Sequence, residues 1–447
     1  MTGHDRLSAD GYPARPSVRA GNVIRLHIAT SADLFRVDFY RYGATPQLVG
    51  SVIWAGQPAP SGRFDEDWQW PAYDFSVPRD WKSGVYIAVL GGAPPSGPPV
   101  LDARQGRLLF VVTPRVPSGR NILYKVPVLT YHAYNSAGGG NLYSAPQVSL
   151  RRPGGGVGGP VKGLPDAYDP ASPRQTFAHW DAPFIAWMEA NGFEIDFCTD
   201  LDIARGRHLG DGYRLLLSAG HDEYWSSSTR RHVTAFRDGG GNIANFGANT
   251  CWWRVHLAND ATQVECSKFP PHAPTGTDPD SSFGCPDHWW ESEPENTLLG
   301  VSYRNGGGHW DGSRTPLGYT VTDADHWAFA RTGLRTGETF GQDQALIGYE
   351  CDGAAYALDR YGRPRPTGED GTPHNFEILG IAPLPSDWNV AAREPGVSSP
   401  QAATLGLYES TGTVFTAATT DWARLLASDP HVAAITRNVV SRLSQPS

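Results

Sequence analysis

The chain has 447 residues, a length that favours two domains over a single hydrophobic core. Its formal net charge of -9 and the lack of any run of Lys or Arg argue against a nucleic-acid-binding surface, because neutralising phosphates requires clustered basic side chains. No segment has the apolar length that crosses a bilayer and the N-terminus has no signal-peptide pattern, so we expect no membrane contact and a cytoplasmic protein.

The first quarter of the chain has the pattern of an all-β domain. Residues 1–20 are polar, contain two prolines and predict a flexible lead-in. Residues 35–42 then alternate between apolar and polar side chains, which is typical of a strand with one buried face. Further predicted strands cover residues 23–30, 85–90 and 108–113. Because no helical period separates them, we expect a β-sandwich domain over residues 21–116.

From residue 117 the pattern changes to strands that alternate with helices. Predicted strands cover residues 122–131, 193–199, 213–219, 242–246, 345–351 and 413–419, and predicted helices cover residues 181–192, 227–238 and 431–443. Asp181 is expected to cap the first of these helices and Gly192 to end it. Strands joined through helices run parallel, because the crossover returns the chain to the edge where it started. The sequence therefore predicts an α/β domain over residues 117–447 with a doubly wound, mostly parallel sheet and a long Trp/Gly/Pro-rich insertion near residues 250–345.

Polar side chains follow four of the predicted strands. They are Tyr131, His132, Tyr134 and Asn135 after the first strand, Asp200 after the second, His221 to Trp225 after the third, and Asn249 after the fourth. The carboxyl ends of parallel strands share one edge, where such sheets bind ligands, so these residues predict a site for a small-molecule substrate. Glu350 ends a late predicted strand and either joins this edge or is a solvated or salt-bridged acid.

The third connection has the densest group of ionisable side chains. An apolar strand leads directly into Gly220-His221-Asp222-Glu223-Tyr224-Trp225, before a helix capped by Ser226. His221, Asp222 and Glu223 are the candidate catalytic residues, because ionisable groups that converge at such an edge often carry chemistry. In the alternative, Asp222 and Glu223 serve the dipole and cap of the following helix while Tyr224 packs against Trp225.

Several motifs resemble the N,N-dimethylformamidase large (beta) subunit family. They are residues 130–135, 138–143, 220–226, 239–254, 294–296, 348–350 and 413–443. The resemblance implies a domain related to class I glutamine amidotransferases, a small partner subunit, and hydrolysis of a small amide by iron that two tyrosines and a glutamate hold. Tyr224 matches the tyrosine of the family's His-x-Glu-Tyr-Trp motif and is the candidate metal ligand. Residues 181–184, where the second tyrosine is expected, contain no phenol.

The remaining ligand candidates are Asp287, His288 and Glu291 in a loop of the insertion. A phenol titrates near pH 10, so it becomes an anionic ligand at neutral pH only beside a strong Lewis acid such as Fe(III). Such an ion could polarise an amide carbonyl and activate water, with Glu223 or His221 managing the proton. Without the other ligands, Tyr224 would instead donate a hydrogen bond to a substrate oxygen.

Glutamine amidotransferase chemistry is not expected, because it requires a cysteine nucleophile directly after its strand. Here that turn is Asn245-Phe246-Gly247-Ala248-Asn249-Thr250, and Cys251 comes too late. The five cysteines are interpreted as packed thiols, with a Cys251/Cys266/Cys285 cluster as the alternative. Three functions stay open: an amide hydrolase, a carbohydrate- or ligand-binding protein, and a tailoring enzyme with altered chemistry. The sequence does not decide between a homo-oligomer and a complex with a small partner subunit.

Overall fold

The computed structural model describes residues 9–91, 101, 105–115, 118–157, 174–270, 284–310, 315–386, 388 and 401–445. Residues 1–8 of the predicted lead-in and residues 271–283 and 311–314 of the predicted insertion lie outside this range. The protein is a mixed α/β protein with many strands and few helices. Its contacts define two compact units: the first takes in Met1–Arg120, Val126–Asp202 and His256–Glu265, and the second takes in Asn121–Lys125, Ile203–Val255 and Cys266–Ser447.

The strands fall into a group before residue 127 and a group after it. The first group is β1 (Ala9–Pro13), β2 (Ser17–Arg19), β3 (Val23–Thr30), β4 (Leu34–Tyr42), β5 (Gln47–Ala55), β6 (Ala72–Ser76), β7 (Gly84–Gly91), β8 (Arg107–Thr113) and β9 (Ile122–Val126). The second group is β10 (Gln147–Ser149), β11 (Ile195–Thr199), β12 (Leu215–His221), β13 (Tyr224–Ser226), β14 (Asn242–Ala248), β15 (Trp253–Ala258), β16 (Gln263–Glu265), β17 (Ser302–Gly308), β18 (Tyr319–Val321), β19 (Thr339–Phe340), β20 (Glu350–Gly353), β21 (Tyr356–Leu358), β22 (Pro364–Pro366), β23 (Glu377–Pro383), β24 (Ala402–Glu409) and β25 (Thr413–Thr416).

The helices are fewer and mostly short. They are α1 (Val128–Tyr134), α2 (Phe177–Trp180), α3 (Ala182–Ala190), α4 (Asp200–Ala204), α5 (Ser227–Asp238), α6 (Asn296–Leu299), α7 (Trp422–Leu425) and α8 (Pro430–Leu443). Helix α5 has the predicted bounds, and the side chain of Ser226 accepts the backbone N–H of Thr229 as its cap. Asp181 is the N-cap residue of α3, as predicted, but its side chain forms no capping hydrogen bond and instead accepts the hydroxyl of Tyr131.

The first unit contains two β-sheets that share one hydrophobic core. One sheet has the order β1-β3-β6 and the other the order β2-β8-β7-β4-β5. Alternate side chains of β3 and β4, such as Leu26 and Val37, enter the same buried cluster, which is why the period of two is visible in the sequence. The four strands predicted in this region correspond to β3, β4, β7 and β8. Strands β1 and β2 lie within residues 1–20, so the prediction of a flexible lead-in is wrong for those residues.

The second unit contains a large mixed sheet. Its strands follow the order β9-β12-β14-β25-β24-β23-β18-β19. The first four are parallel to one another, whereas β24, β23, β18 and β19 extend the sheet antiparallel. The prediction of a mostly parallel sheet therefore holds only for the half formed by β9, β12, β14 and β25. The late strand predicted at residues 345–351 is also misplaced, because β20 begins at Glu350 and pairs with β17.

The central strands β12 and β14 approach closely where β12 ends. Gly220 pairs with Gly247 in the parallel register, and a Cβ atom on Gly247 would lie 2.4 Å from the carbonyl oxygen of Gly220. Gly220 also has a φ of +68°, which residues with a side chain rarely adopt. The two glycines therefore allow the chain to turn here, and His221 is placed as the last residue of β12.

Candidate active site

His221 lies between two buried carboxylates. Its Nε2 is 3.4 Å from Oε2 of Glu223 and 3.2 Å from Oε2 of Glu350. Burial and, to a smaller extent, the positive charge of Lys268 together lower the pKa of His221 to about 3. The imidazole is therefore neutral at neutral pH, in which state one nitrogen donates a hydrogen bond and the other accepts one.

Glu350 belongs to this group and is not a solvated acid. It is 3% exposed, and its Oε1 accepts a hydrogen bond of 2.8 Å from Nε1 of Trp310. The backbone carbonyl of Glu350 also accepts the N–H of Thr420. The predicted association of Glu350 with His221 and Glu223 is found, although Glu350 starts its strand instead of ending it. Trp310 was missed, because nothing in the sequence indicates that a loop tryptophan orients this acid.

Tyr224 lies against a buried lysine. Its hydroxyl oxygen is 2.5 Å from Nζ of Lys268, and both side chains are buried. Tyr224 stands opposite Trp253 in the parallel register of β13 and β15. The lysine Nζ lies over both rings, 4.9 Å from the centroid of Tyr224 and 4.6 Å from that of Trp253. The ammonium donates to the phenol oxygen, so Tyr224 can still act as a donor through its own hydroxyl proton.

Lys268 was also missed by the sequence analysis. It stands in an irregular segment after Cys266 and belongs to no motif. The sequence offered one signal. Of the 37 basic residues, 33 are arginines and only four are lysines, so each lysine is unusual in this chain.

Asp222 lies in the connection between β12 and β13 and forms several buried contacts there. Its carboxylate forms a buried salt bridge with Lys125 of β9 and accepts a 3.0 Å hydrogen bond from Nε1 of Trp225. The Lys125 Nζ also lies 4.0 Å from the Trp225 ring centroid. The backbone carbonyl oxygen of Asp222 accepts the N–H of Cys251. These contacts favour a positioning role for Asp222 and Trp225, whereas His221 contacts both Glu223 and Glu350.

Asn249 follows β14, as predicted, in a strained turn. Its φ is +49°, and its N–H donates to Oδ1 of Asp352 at 2.8 Å. Burial raises the pKa of Asp352 to about 8. The side-chain oxygen of Asn249 is buried and has no hydrogen-bond partner within the described part of the chain. Asn249 is therefore available for a polar ligand at the strand end next to His221, since Ala248 pairs with His221.

Cys251 does not have the properties of a nucleophile. Burial raises the pKa of its thiol to about 12, and NH1 of Arg230 donates to its sulfur. All five cysteines are buried, in agreement with their interpretation as packed side chains. Among the described residues, no group of three or more His, Cys, Asp or Glu is suited to hold a metal ion, so the alternative Cys251/Cys266/Cys285 cluster is not found there.

The candidates predicted after the first two strands lie in the first unit. Tyr131, His132 and Tyr134 are in helix α1 and Asn135 is its C-cap residue, so their predicted place at a strand end is wrong. The Tyr134 and Tyr143 hydroxyls are 2.9 Å apart, and Asn135 Nδ2 donates to the carbonyl of Pro153.

His132 and Asp200, two further candidates, also have contacts within the first unit. Burial and the charge of Arg152 lower the pKa of His132 to about 3. Asp200 begins α4 after β11 and accepts the backbone N–H groups of Leu129 and Leu201. Asp200 therefore supports helix starts within this unit.

The three further ligand candidates of the insertion do not converge on a metal site. Asp287 pairs with Arg254 and accepts the N–H of Ser267. The ring of His288 lies 4.5 Å from that of Trp252 and 4.1 Å from that of Trp253. Glu291 is exposed and accepts the N–H of Gly284.

The residues around Tyr224 do not fit the ferric site that the family resemblance implies. The Lys268 ammonium donates a hydrogen bond to the phenol oxygen, the atom that would have to bind the metal. A second cation beside this oxygen would meet a like charge in a buried environment, where such repulsion is strong. The phenol oxygen of Tyr224 is therefore unsuited to bind Fe(III).

The fold and the site together define a mixed α/β protein in which a buried imidazole contacts two carboxylates and a buried tyrosine pairs with a lysine. The chain belongs to the family described as N,N-dimethylformamidase beta subunit-like, C-terminal, whose model matches residues 31–434. This confirms the family resemblance, and the match starts within the strands of the first unit. No curated protein matches the chain.

One similar solved structure is a ThuA-like protein from Parabacteroides merdae. It has 14% sequence identity and a TM-score of 0.25, and the alignment covers 58% of this chain and 83% of that one. At this level the likeness supports no argument about function. Among the described residues, none of the helices combines the length and the apolar character needed to cross a membrane.

Proposed function

We propose that the protein hydrolyses the C–N bond of a small amide or formamide at the site formed by His221, Glu223, Glu350 and Tyr224. The observation that carries this proposal is the position of His221, whose Nε2 lies within 3.4 Å of one buried carboxylate and 3.2 Å of another. Membership of the dimethylformamidase-like family supports the reaction class.

The chemistry needs a base for water, a donor for the carbonyl oxygen and a proton for the leaving nitrogen. Glu223 or Glu350 accepts a proton as water adds to the carbonyl carbon, and Tyr224 donates a hydrogen bond to the oxygen that becomes negative. His221, neutral and in contact with both acids, passes the proton to the nitrogen as the C–N bond breaks. The products are a carboxylic acid and an amine, so all atoms of water and amide are accounted for.

Burial restricts the substrate. His221, Glu223 and Tyr224 are each 0% exposed, so an amide must be small and must lose its water to reach them. Within such an environment, hydrogen bonds to a developing charge are stronger than in water. Asn249, whose buried side-chain oxygen has no hydrogen-bond partner among the described residues, is a candidate to accept an N–H group of the substrate or product.

The test is an assay of the purified chain with N,N-dimethylformamide, formamide and acetamide, in which the released amine or ammonia is quantified. We expect His221→Gln, Glu223→Gln and Glu350→Gln each to lower kcat by about 100-fold or more, as removal of an acid–base group does. Glu369→Gln, at an exposed position, is the matched control and should keep full activity. Hydrolysis that survives all three site substitutions would refute the proposal.

A second candidate function is carbohydrate binding by the first unit. A surface pocket there is lined by Asp10, Thr30, Trp68 and Trp70, among others. Both indole N–H groups donate to backbone carbonyls, so the rings offer apolar faces of the kind that stack on sugars. Burial raises the pKa of Asp10 to about 6, so near neutral pH it accepts hydrogen bonds from hydroxyls. Titration calorimetry with oligosaccharides tests this function, and binding that Trp68→Ala leaves unchanged would count against it.

We further propose a partner chain, because the family description designates a subunit. Light scattering of the purified chain, alone and with chains that co-purify from its native source, tests this. A monomer that co-purifies with no other chain would count against it.

The finer architecture is part of this proposal. The shared core of the two sheets supports a β-sandwich at residues 21–116, and the parallel strands β9, β12, β14 and β25 support a doubly wound domain related to class I glutamine amidotransferases. A crystal structure tests both assignments.

A further inference from the structure

We propose that Lys268 is a positioning residue of the reaction, and that the Tyr224–Lys268 pair, in place of a metal ion, stabilises the oxyanion that forms on the amide oxygen. This inference rests on the proposed function, because it assigns roles within the same site.

The first support is the choice of residue. The chain has four lysines, yet Lys125 and Lys268 are 1% and 2% exposed. Lysine is almost never fully buried unless it is paired, because removing an ammonium from water is costly. Lys125 is explained by its salt bridge with Asp222. The ammonium of Lys268 donates to the phenol oxygen of Tyr224, which places the positive charge at the candidate donor to the substrate.

The second support is the geometry that holds the ammonium. The register of β13 and β15 places Tyr224 and Trp253 side by side, and Nζ of Lys268 lies over both rings. Cation–π attraction of this kind stabilises a desolvated ammonium. The 2.5 Å contact with the phenol oxygen then fixes the direction of the charge.

The third support is the chemistry that this arrangement allows. When water adds to the amide carbon, the π electrons of the carbonyl move to its oxygen, and Tyr224 donates its O–H to that oxygen. Lys268 donates to the phenol oxygen at the same time, which makes Tyr224 a stronger donor because the ammonium stabilises the negative charge that develops there. No electron leaves the system and no covalent bond to the protein forms, so no co-reactant is required.

The pair can be tested without any activity measurement. With ¹⁵N-labelled lysine in the full chain, the Nζ signal of Lys268 should be slow to exchange with water and should move in Tyr224→Phe, while the signal of exposed Lys82 stays in place. A Lys268 signal that does not respond to Tyr224→Phe would overturn the pairing.

The role of the pair is tested with N,N-dimethylformamide as the substrate. We expect Lys268→Met and Tyr224→Phe each to lower kcat by about 100-fold, the cost of one oxyanion donor, with little change in KM. Because the two residues act as one unit, the double variant should lose no more than the worse single variant. Lys82→Met is the control for the same chemical change, and circular dichroism verifies that each variant is folded.

Three outcomes overturn the inference in distinguishable ways. If the wild type hydrolyses no amide, the proposed function fails, and the NMR result then describes a purely structural pair. If the wild type is active and Lys268→Met is equally active, or if the two losses multiply, only the role of the pair fails. Stoichiometric iron with a visible charge-transfer band that Tyr224→Phe abolishes would replace the pair with a metal.

Discussion

The buried salt bridge between Lys125 and Asp222 gives a prediction whose size follows from its surroundings. The two side chains are 1% and 0% exposed, and the other donor recorded at the carboxylate is Nε1 of Trp225. Lys125→Met therefore leaves a buried carboxylate without its counter-charge, which costs about 3–5 kcal/mol of unfolding free energy. Loss of the cation–π contact with Trp225 adds about 1 kcal/mol.

A double variant separates the unpaired charge from the lost packing. In Lys125→Met/Asp222→Asn both charges are gone, and the Trp225 hydrogen bond can persist. The remaining cost is one unsatisfied buried amide, about 1–3 kcal/mol, so the double variant should be more stable than Lys125→Met alone.

Urea unfolding at pH 7, followed by tryptophan fluorescence, measures this difference, provided that both variants keep the wild-type dependence on urea concentration. A single variant that loses less than about 1 kcal/mol, or a double variant less stable than the single one, would refute the reasoning.

Three further predictions concern other buried groups. The pKa of Asp352 is raised from 3.8 to about 8, so the folded protein holds a proton that the unfolded chain releases, and stability should fall as the pH rises from about 4 to 8; thermal unfolding across this range should show a flatter decline for Asp352→Asn. Gly247→Ala places a Cβ atom 2.4 Å from the carbonyl oxygen of Gly220, so we expect a loss of more than about 2 kcal/mol or no soluble protein, whereas Ala248→Gly should be milder when both are compared by urea unfolding. The buried thiols, with the pKa of Cys251 raised to about 12, should react with Ellman's reagent only after denaturation, and rapid labelling of the native chain would contradict their burial.

Much of the local structure could be predicted from the sequence, because the responsible forces act over a few residues. The alternation in β3 and β4 reflects one buried face, and Ser226 with Gly239 sets both ends of α5. The connection after β12 was identified for the same reason, since four ionisable or phenolic side chains follow an apolar strand without interruption.

The contacts that complete the site depend on distant parts of the chain. Glu350 is 129 positions after His221, and Lys268 is 44 positions after Tyr224, with no motif linking either pair. Helix α1 was missed because residues 122–131 form a continuous apolar run, in which a strand followed by a buried helix looks like one longer strand. The antiparallel half of the large sheet was missed as well, because β23 and β24 were not among the predicted strands, although β24 joins β25 through a short hairpin at residues 410–412.

The positive charge at Tyr224 comes from an irregular segment, whereas the phenol, the imidazole and the neighbouring amide are held by strand ends. A substitution at this one loop position can therefore replace the charged side chain while the sheet keeps its structure. Relatives that share this scaffold could in this way acquire different reactivities through a single codon.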